Sequence, residues 1–127
     1  MSDDAKQDET PAPEEIGIEE FARLDLRIAR VVRAEPHPNA DRLLKLAIDL
    51  GGEERQIVAG IAERYRPEDL EGRLIAVVAN LKPVKLRGEE SRGMLLAASD
   101  APKGGEGERN VVVVTPMSPI DAGSVVS

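Results

Sequence analysis

"LLKLAIDLGGEERQIVAG", residues 43–60, decides the fold. Leu44, Leu46 and Ile48 alternate with Lys45, Ala47 and Asp49, the period of a strand with one buried face. Gly51-Gly52 supplies the positive φ angles of a tight turn, and residues 57–59 return as a second strand. A two-stranded hairpin is barely stable alone in water. The segments on either side must therefore complete a sheet around it.

Upstream, Ile18, Phe21 and Leu24 recur every three residues, which predicts a turn or two of amphipathic helix. A strand follows from Asp25. Leu26 and Ile28 alternate inward, and then the phase slips at the adjacent Val31 and Val32. A slip inside a long strand predicts a bulge or sharp coil, and closure of a small barrel needs such curvature. In "HPNADRL" (37–43), Pro36 and Pro38 stop the strand and Asn39 is placed to cap a short helical turn.

Downstream, "IAERYRPEDLEG" (61–72) reads as a helical connection, with Pro67 starting a second turn and Gly72 ending it. "RLIAVVANL" (73–81) is a buried strand and "GMLLAAS" (93–99) another. "APKGGEGE" (101–108) is a loop, "NVVVVT" (110–115) a strand and "PMSPIDAGSVVS" (116–127) a proline-broken tail. Five or six short strands, one helical insertion and no βαβ alternation give an all-β class. The simplest form is a five-stranded Greek-key barrel of the OB type. A sandwich would need about seven regularly spaced strands.

The 127 residues carry a net charge of −7. All of it sits in residues 1–20, where eight acids (Asp3, Asp4, Asp8, Glu9, Glu14, Glu15, Glu19, Glu20) face one base, Lys6. Residues 21–127 hold 16 acids and 16 bases. Residues 1–15 are expected to be a disordered acidic leader and 16–127 the folded domain. The leader is the opposite of a secretory signal, no apolar run is long enough for a membrane helix, and cysteine is absent. These features suit a cytoplasmic protein. Met1 reads as the start of a complete chain, although an excised domain would look the same.

Catalytic chemistry has little to work with. The one histidine, His37, lies among turn residues and reads as a turn or capping residue. "GEESRGM" (88–94) has P-loop glycine spacing, but Met94 stands where the lysine belongs and a strand follows. The carboxylate pairs Glu53-Glu54 and Glu89-Glu90 sit beside turns, where adjacent side chains point apart. No metal-ligand spacing appears, and no cofactor is expected.

One stretch stands out: "NLKPVKLRGEESRGMLLAA", residues 80–98. Lys82, Lys85, Arg87 and Arg92 gather within eleven residues. Their bland reading is a hydrated, solubilising loop. Pro83 argues against it, because a stiffened loop presents its lysines. Asn80 and Ser91, small and polar, sit where the flanking strands meet the loop. Met94 opens the next strand at that rim, either as a ligand contact or as a core residue. Glu89 and Glu90 cut the loop's charge from +4 to +2.

These segments resemble a known family. "FARLDLRIARVV", "HPNADRLLKLAIDLG", "RQIVAGIAERYRPEDLEG", "VVANLKPVKLRGEESRGMLLAA" and "VVVVTPMSPIDAGSVV" occur in order, with similar spacing, in the tRNA-binding domain of bacterial methionyl-tRNA synthetases. That domain also occurs as a beta subunit, as a free-standing dimeric protein and in endothelial monocyte-activating polypeptide. The resemblance implies an OB fold, a homodimer built with the C-terminal extension, and shape-directed binding to the outer corner of folded tRNA. By position it assigns the ligand face to Asn80, Lys82, Lys85, Arg87, Ser91 and Met94, with Lys45 and Arg55 on the hairpin as weaker candidates. It also implies a synthetase catalytic chain as a possible partner, with no chemistry in this module. With only Phe21 and Tyr65 as aromatics, base-stacking platforms are not expected. Two other readings stay open: an export-chaperone-like peptide binder on the same fold, and a dimerisation module with an idle loop.

Overall fold

The computed structural model describes residues 13–100 and 110–127. The expected loop 101–108 and most of the acidic leader lie outside the described residues. The elements are α1 (Ile18–Phe21), β1 (Leu26–Pro36), β2 (Leu44–Asp49), β3 (Glu54–Ala59), α2 (Pro67–Leu70), β4 (Leu74–Val78), β5 (Val84–Leu86), β6 (Glu89–Ser91), β7 (Met94–Leu95), β8 (Ala97–Ser99), β9 (Val111–Val113) and β10 (Val125–Val126). The main sheet runs β3-β2-β1-β4-β7, all antiparallel. It curls into a nearly closed five-stranded barrel of the OB kind. β6 and the residue after it approach β3 to narrow the gap, with Arg92 N–H donating to Gln56 O at 2.9 Å.

The β2–β3 hairpin forms as its alternation dictates. Leu44, Leu46 and Ile48 are buried while their neighbours are half-buried. Asp49 Oδ1 accepts from both Gly51 N–H and Gly52 N–H at 2.9 Å, and the two glycines take φ of 88° and 112°. β1 spans the barrel, pairing with β4 through residues 26–30 and with β2 through residues 30–36. Its register shifts between Val31 and Arg33. Val31 is fully buried and the next residue, Val32, is 41% exposed, so the adjacent valines do mark the bulge. One detail differs from expectation. Ala29 and Val31 join the core cluster, whereas Leu26 and Ile28 are buried outside it, sharing a face with their cross-strand partners Val78 and Ala76. The β1–β4 pair is thus apolar on both faces, which explains the unbroken hydrophobic run of β4.

α1 is a single turn, as its three-residue repeat predicts. α2 starts with Pro67 at its first turn, and Gly72 follows at φ 86°. Residues 37–43 make turns without a helix. Asn39 caps nothing there, because its side chain reaches across to Arg87 O (3.4 Å). "GMLLAAS" is two strands. β7 pairs with β4, but the chain then turns to pair β8 with β9, because Val114 O takes the Ala76 N–H at 3.1 Å. The C-terminal residues return as β10, which pairs with β1 at Leu26 and Arg27. This return needs two glycines. A Cβ on Gly51 would lie 2.7 Å from Ala122 O, and one on Gly123 would lie 2.7 Å from Leu50 O.

Candidate nucleic-acid interface

The basic stretch is not a loop. Residues 84–91 form a second hairpin, β5–β6, with Val84 opposite Ser91, Lys85 opposite Glu90 and Leu86 opposite Glu89. Its two-residue turn is Arg87-Gly88, at φ 54° and 94°. Positive φ at both positions is the type I′ geometry that matches strand twist. Arg87 is the one non-glycine residue with positive φ among the described residues. Asparagine or aspartate would fit that conformation with less strain, so the arginine sets a cation at the tip against backbone preference.

Alternation splits the hairpin into two faces. Lys85 and Glu90 point outward and are exposed. Leu86, Glu89 and Ser91 point toward the barrel. Ser91 is 2% exposed; its hydroxyl oxygen accepts from Val58 N–H at 2.9 Å and its proton is donated to Gly93 O at 3.0 Å. The expectation of an exposed rim serine is corrected here: the side chain joins the hairpin to β3. Glu89 lies 3.3 Å from Lys45 Nζ and 3.3 Å from Gln56 Nε2. The bond from Lys45, then that from Gln56, holds its carboxyl below the usual glutamate range. Its charge is therefore neutralised on the inner face.

The remaining predicted residues divide in the same way. Lys45 is mostly buried between Glu89 and Glu35, the latter at 3.8 Å. Arg55 is mostly buried too. Its Nε binds Glu53 at 2.9 Å, and its Nη1 donates to Ala79 O and Arg92 O, the residues at the two feet of the hairpin excursion. Asn80 is exposed, yet its Oδ1 accepts from Asp25 N–H (2.9 Å) and its Nδ2 donates to Arg23 O (2.7 Å). It ties the start of the excursion to the start of β1. Met94, 48% exposed, projects outward while its neighbour Leu95 enters the core, so it is not a core methionine.

That leaves Lys82, Lys85, Arg87 and Arg92. All four are exposed, and none makes an ion pair with another described residue. The sequence reading left Arg92 off the ligand face, although it counted in the same cluster. It also missed that His37 reaches this hairpin. No group of three or more His, Cys, Asp or Glu side chains among the described residues could hold a metal ion. No helix among them is long and apolar enough to cross a membrane.

Comparison with known proteins bears on the family of the chain. The chain is 57% identical over 91 residues to a methionine–tRNA ligase of Clostridium perfringens, covering 72% of this chain and 14% of the relative. It is 51% identical over 111 residues to that of Archaeoglobus fulgidus, covering 87% of this chain and 16% of the relative. The chain thus spans about one seventh of the curated relatives it matches. Among solved structures it resembles a MetRS-related protein from Pyrococcus horikoshii (TM-score 0.80, 35% identity, covering 91% of this chain and all of that one). It also resembles the chaperone CsaA of Bacillus anthracis (TM-score 0.77, 32% identity, covering 90% and 100%). The family model described as "Putative tRNA binding domain" matches residues 26–125, and with that match over most of its length the chain belongs to this tRNA-binding domain family.

Proposed function

We propose that this domain binds folded tRNA at its outer corner through the β5–β6 hairpin and performs no chemistry itself. The observation that carries the reading is the sorting of cations. Those on the barrel wall, Lys45 and Arg55, are spent on carboxylates, while Lys82, Lys85, Arg87 and Arg92 on and beside the hairpin are exposed and make no ion pair with another described residue. Unpaired cations on a fixed ribbon meet phosphates without base readout, the mode suited to a folded RNA surface. Lys82, Lys85, Arg87, Arg92 and Met94 form the contact face. Asn80, Ser91, Lys45 and Arg55 hold that face in place, and Asn80 retains one donor and one acceptor for RNA.

As a free-standing protein or as a synthetase appendage, such a module raises the local concentration of tRNA beside a catalytic chain. We place it in the cytoplasm, as a homodimer joined through the C-terminal segment, where Met117, Ile120 and Val125 stay exposed. Fluorescence anisotropy with folded and heat-unfolded tRNA tests the reading: tight binding confined to the folded form is expected, and equal binding of both overturns it. The likeness to a chaperone favours a second reading, a peptide binder. Suppression of client aggregation, together with no tRNA binding, would select it.

A further inference from the structure

We infer that His37 is the positioning residue for the RNA-binding hairpin, holding its tip through one defined tautomer; this rests on the tRNA-binding reading above. His37 is 6% exposed and sits just past the end of β1. Its Nδ1 lies 2.9 Å from Asn39 N. A backbone N–H can only donate, so Nδ1 accepts and carries no proton. In the neutral ring the proton is then on Nε2. Nε2 faces Leu86 O at 2.9 Å, a donor aimed at an acceptor. The local turn thereby fixes the tautomer that the distant contact requires.

That contact falls where the hairpin most needs it. The Leu86 carbonyl leads directly into Arg87, the strained residue at φ 54°. The next carbonyl, Arg87 O, accepts from Asn39 Nδ2 at 3.4 Å. Two consecutive carbonyls at the turn are thus held by the 37–39 segment. β5 and β6 have three residues each, too few to persist as a free hairpin. The foot of the hairpin is held separately by Ser91, Gln56 and Arg55. Losing the His37 contact should free the tip alone. Lys85 and Arg87 would then have to be ordered on each binding event, which weakens affinity. This gives "HPN" and "KLRG", distant in sequence, one shared task.

Two substitutions separate the ring's two nitrogens. His37→Asn puts an oxygen near the place of Nδ1 and keeps the bond from Asn39 N–H as an Asx turn, but it cannot reach Leu86. His37→Gln puts an amide N–H near the place of Nε2 and can still donate to Leu86 O. Hydrogen exchange of residues 84–91 and anisotropy with folded tRNA are measured on both variants. In H37N, hairpin amides should exchange about tenfold faster while amides of 44–49 are unchanged, and tRNA affinity should fall about tenfold, the cost of ordering the tip. H37Q should restore both to within about threefold. Wild-type hairpin exchange in H37N overturns the inference, and so does fast exchange with undiminished affinity. The exchange measurement needs no RNA, so failure of wild type to bind tRNA condemns the tRNA reading and not the clamp. If neither variant folds, ring ¹⁵N spectra of the wild-type protein decide: a proton on Nε2 is expected, and one on Nδ1 overturns the assignment.

Discussion

Glu89 turns away from the exposed face of its hairpin and lies 3.3 Å from Lys45 Nζ on β2. The carboxylate therefore docks the hairpin onto the barrel and does not oppose its outer cations. Its carboxyl is held below the usual range chiefly by the bond from Lys45 and then by that from Gln56. A depressed carboxylate contributes stability that is complete above its unfolded value, about 4.3, and lost as pH falls through the folded value. Between pH 8 and 5 this contribution should not change. Glu89→Gln should melt lower than wild type at neutral pH, and the gap should close toward pH 3. A gap constant from pH 7 to pH 3 in thermal melts would show that the ion pair contributes nothing.

Ser91→Ala separates docking from contact. The exposed-rim reading implied a cost within about 0.5 kcal/mol, as for ordinary surface changes. With the hydroxyl buried, its removal leaves Val58 N–H without a partner, at about 1–3 kcal/mol. For a domain of this size that lowers Tm by roughly 3–10 °C. Calorimetry decides between the two, and an unchanged Tm would return Ser91 to the surface.

The barrel was legible because its signals are local. Alternation at 44–48 and the Val31-Val32 slip each need only a few neighbours to be read. The second hairpin was not, because Arg87-Gly88 is not one of the turn pairs that announce a type I′ turn. The inward residues of β6, Glu89 and Ser91, are polar, so no hydrophobic alternation marks the buried face of that strand. They tolerate burial through Lys45, Gln56 and the Val58 amide, partners more than thirty residues away. The basic cluster read from the sequence does gather on and beside one hairpin, but its division into exposed cations and inward-turned ones depends on the same long-range contacts. Nothing in a single sequence distinguishes Arg55, mostly buried on Glu53, from Arg92, exposed and in no ion pair with another described residue.

The exposed apolar side chains of the C-terminal segment predict self-association. Met117 is fully exposed and Ile120 and Val125 are largely so, with Ile18 adding to the apolar surface at the other end of the chain. Exposed apolar side chains gathered in one segment suit an interface where they form a contiguous patch. Light scattering at micromolar concentration should give twice the monomer mass, and Met117→Asp with Ile120→Asp should halve it. A monomeric mass across the concentration range rules the interface out.

The hairpin's cations should act through phosphate, and salt dependence reads this directly. If four to six phosphates are neutralised, log K should fall with log salt at a slope of about −3 to −5. Replacing Lys82 and Lys85 by Ala removes two released counterions for each hairpin engaged. The slope should then flatten by about 1.5 units per hairpin, equally for every tRNA species, because phosphate contacts carry no sequence information. Both lysines are exposed and unpaired among the described residues, so Tm should stay nearly constant. Asn80→Ala provides the contrast. It frees Asp25 N–H and Arg23 O to solvent, which should weaken binding with the slope intact, since an amide releases no ions. Anisotropy titrations across a salt series measure both variants. Full affinity and an unchanged slope in the double-lysine variant would move the RNA site off this hairpin, whatever the wild-type protein binds.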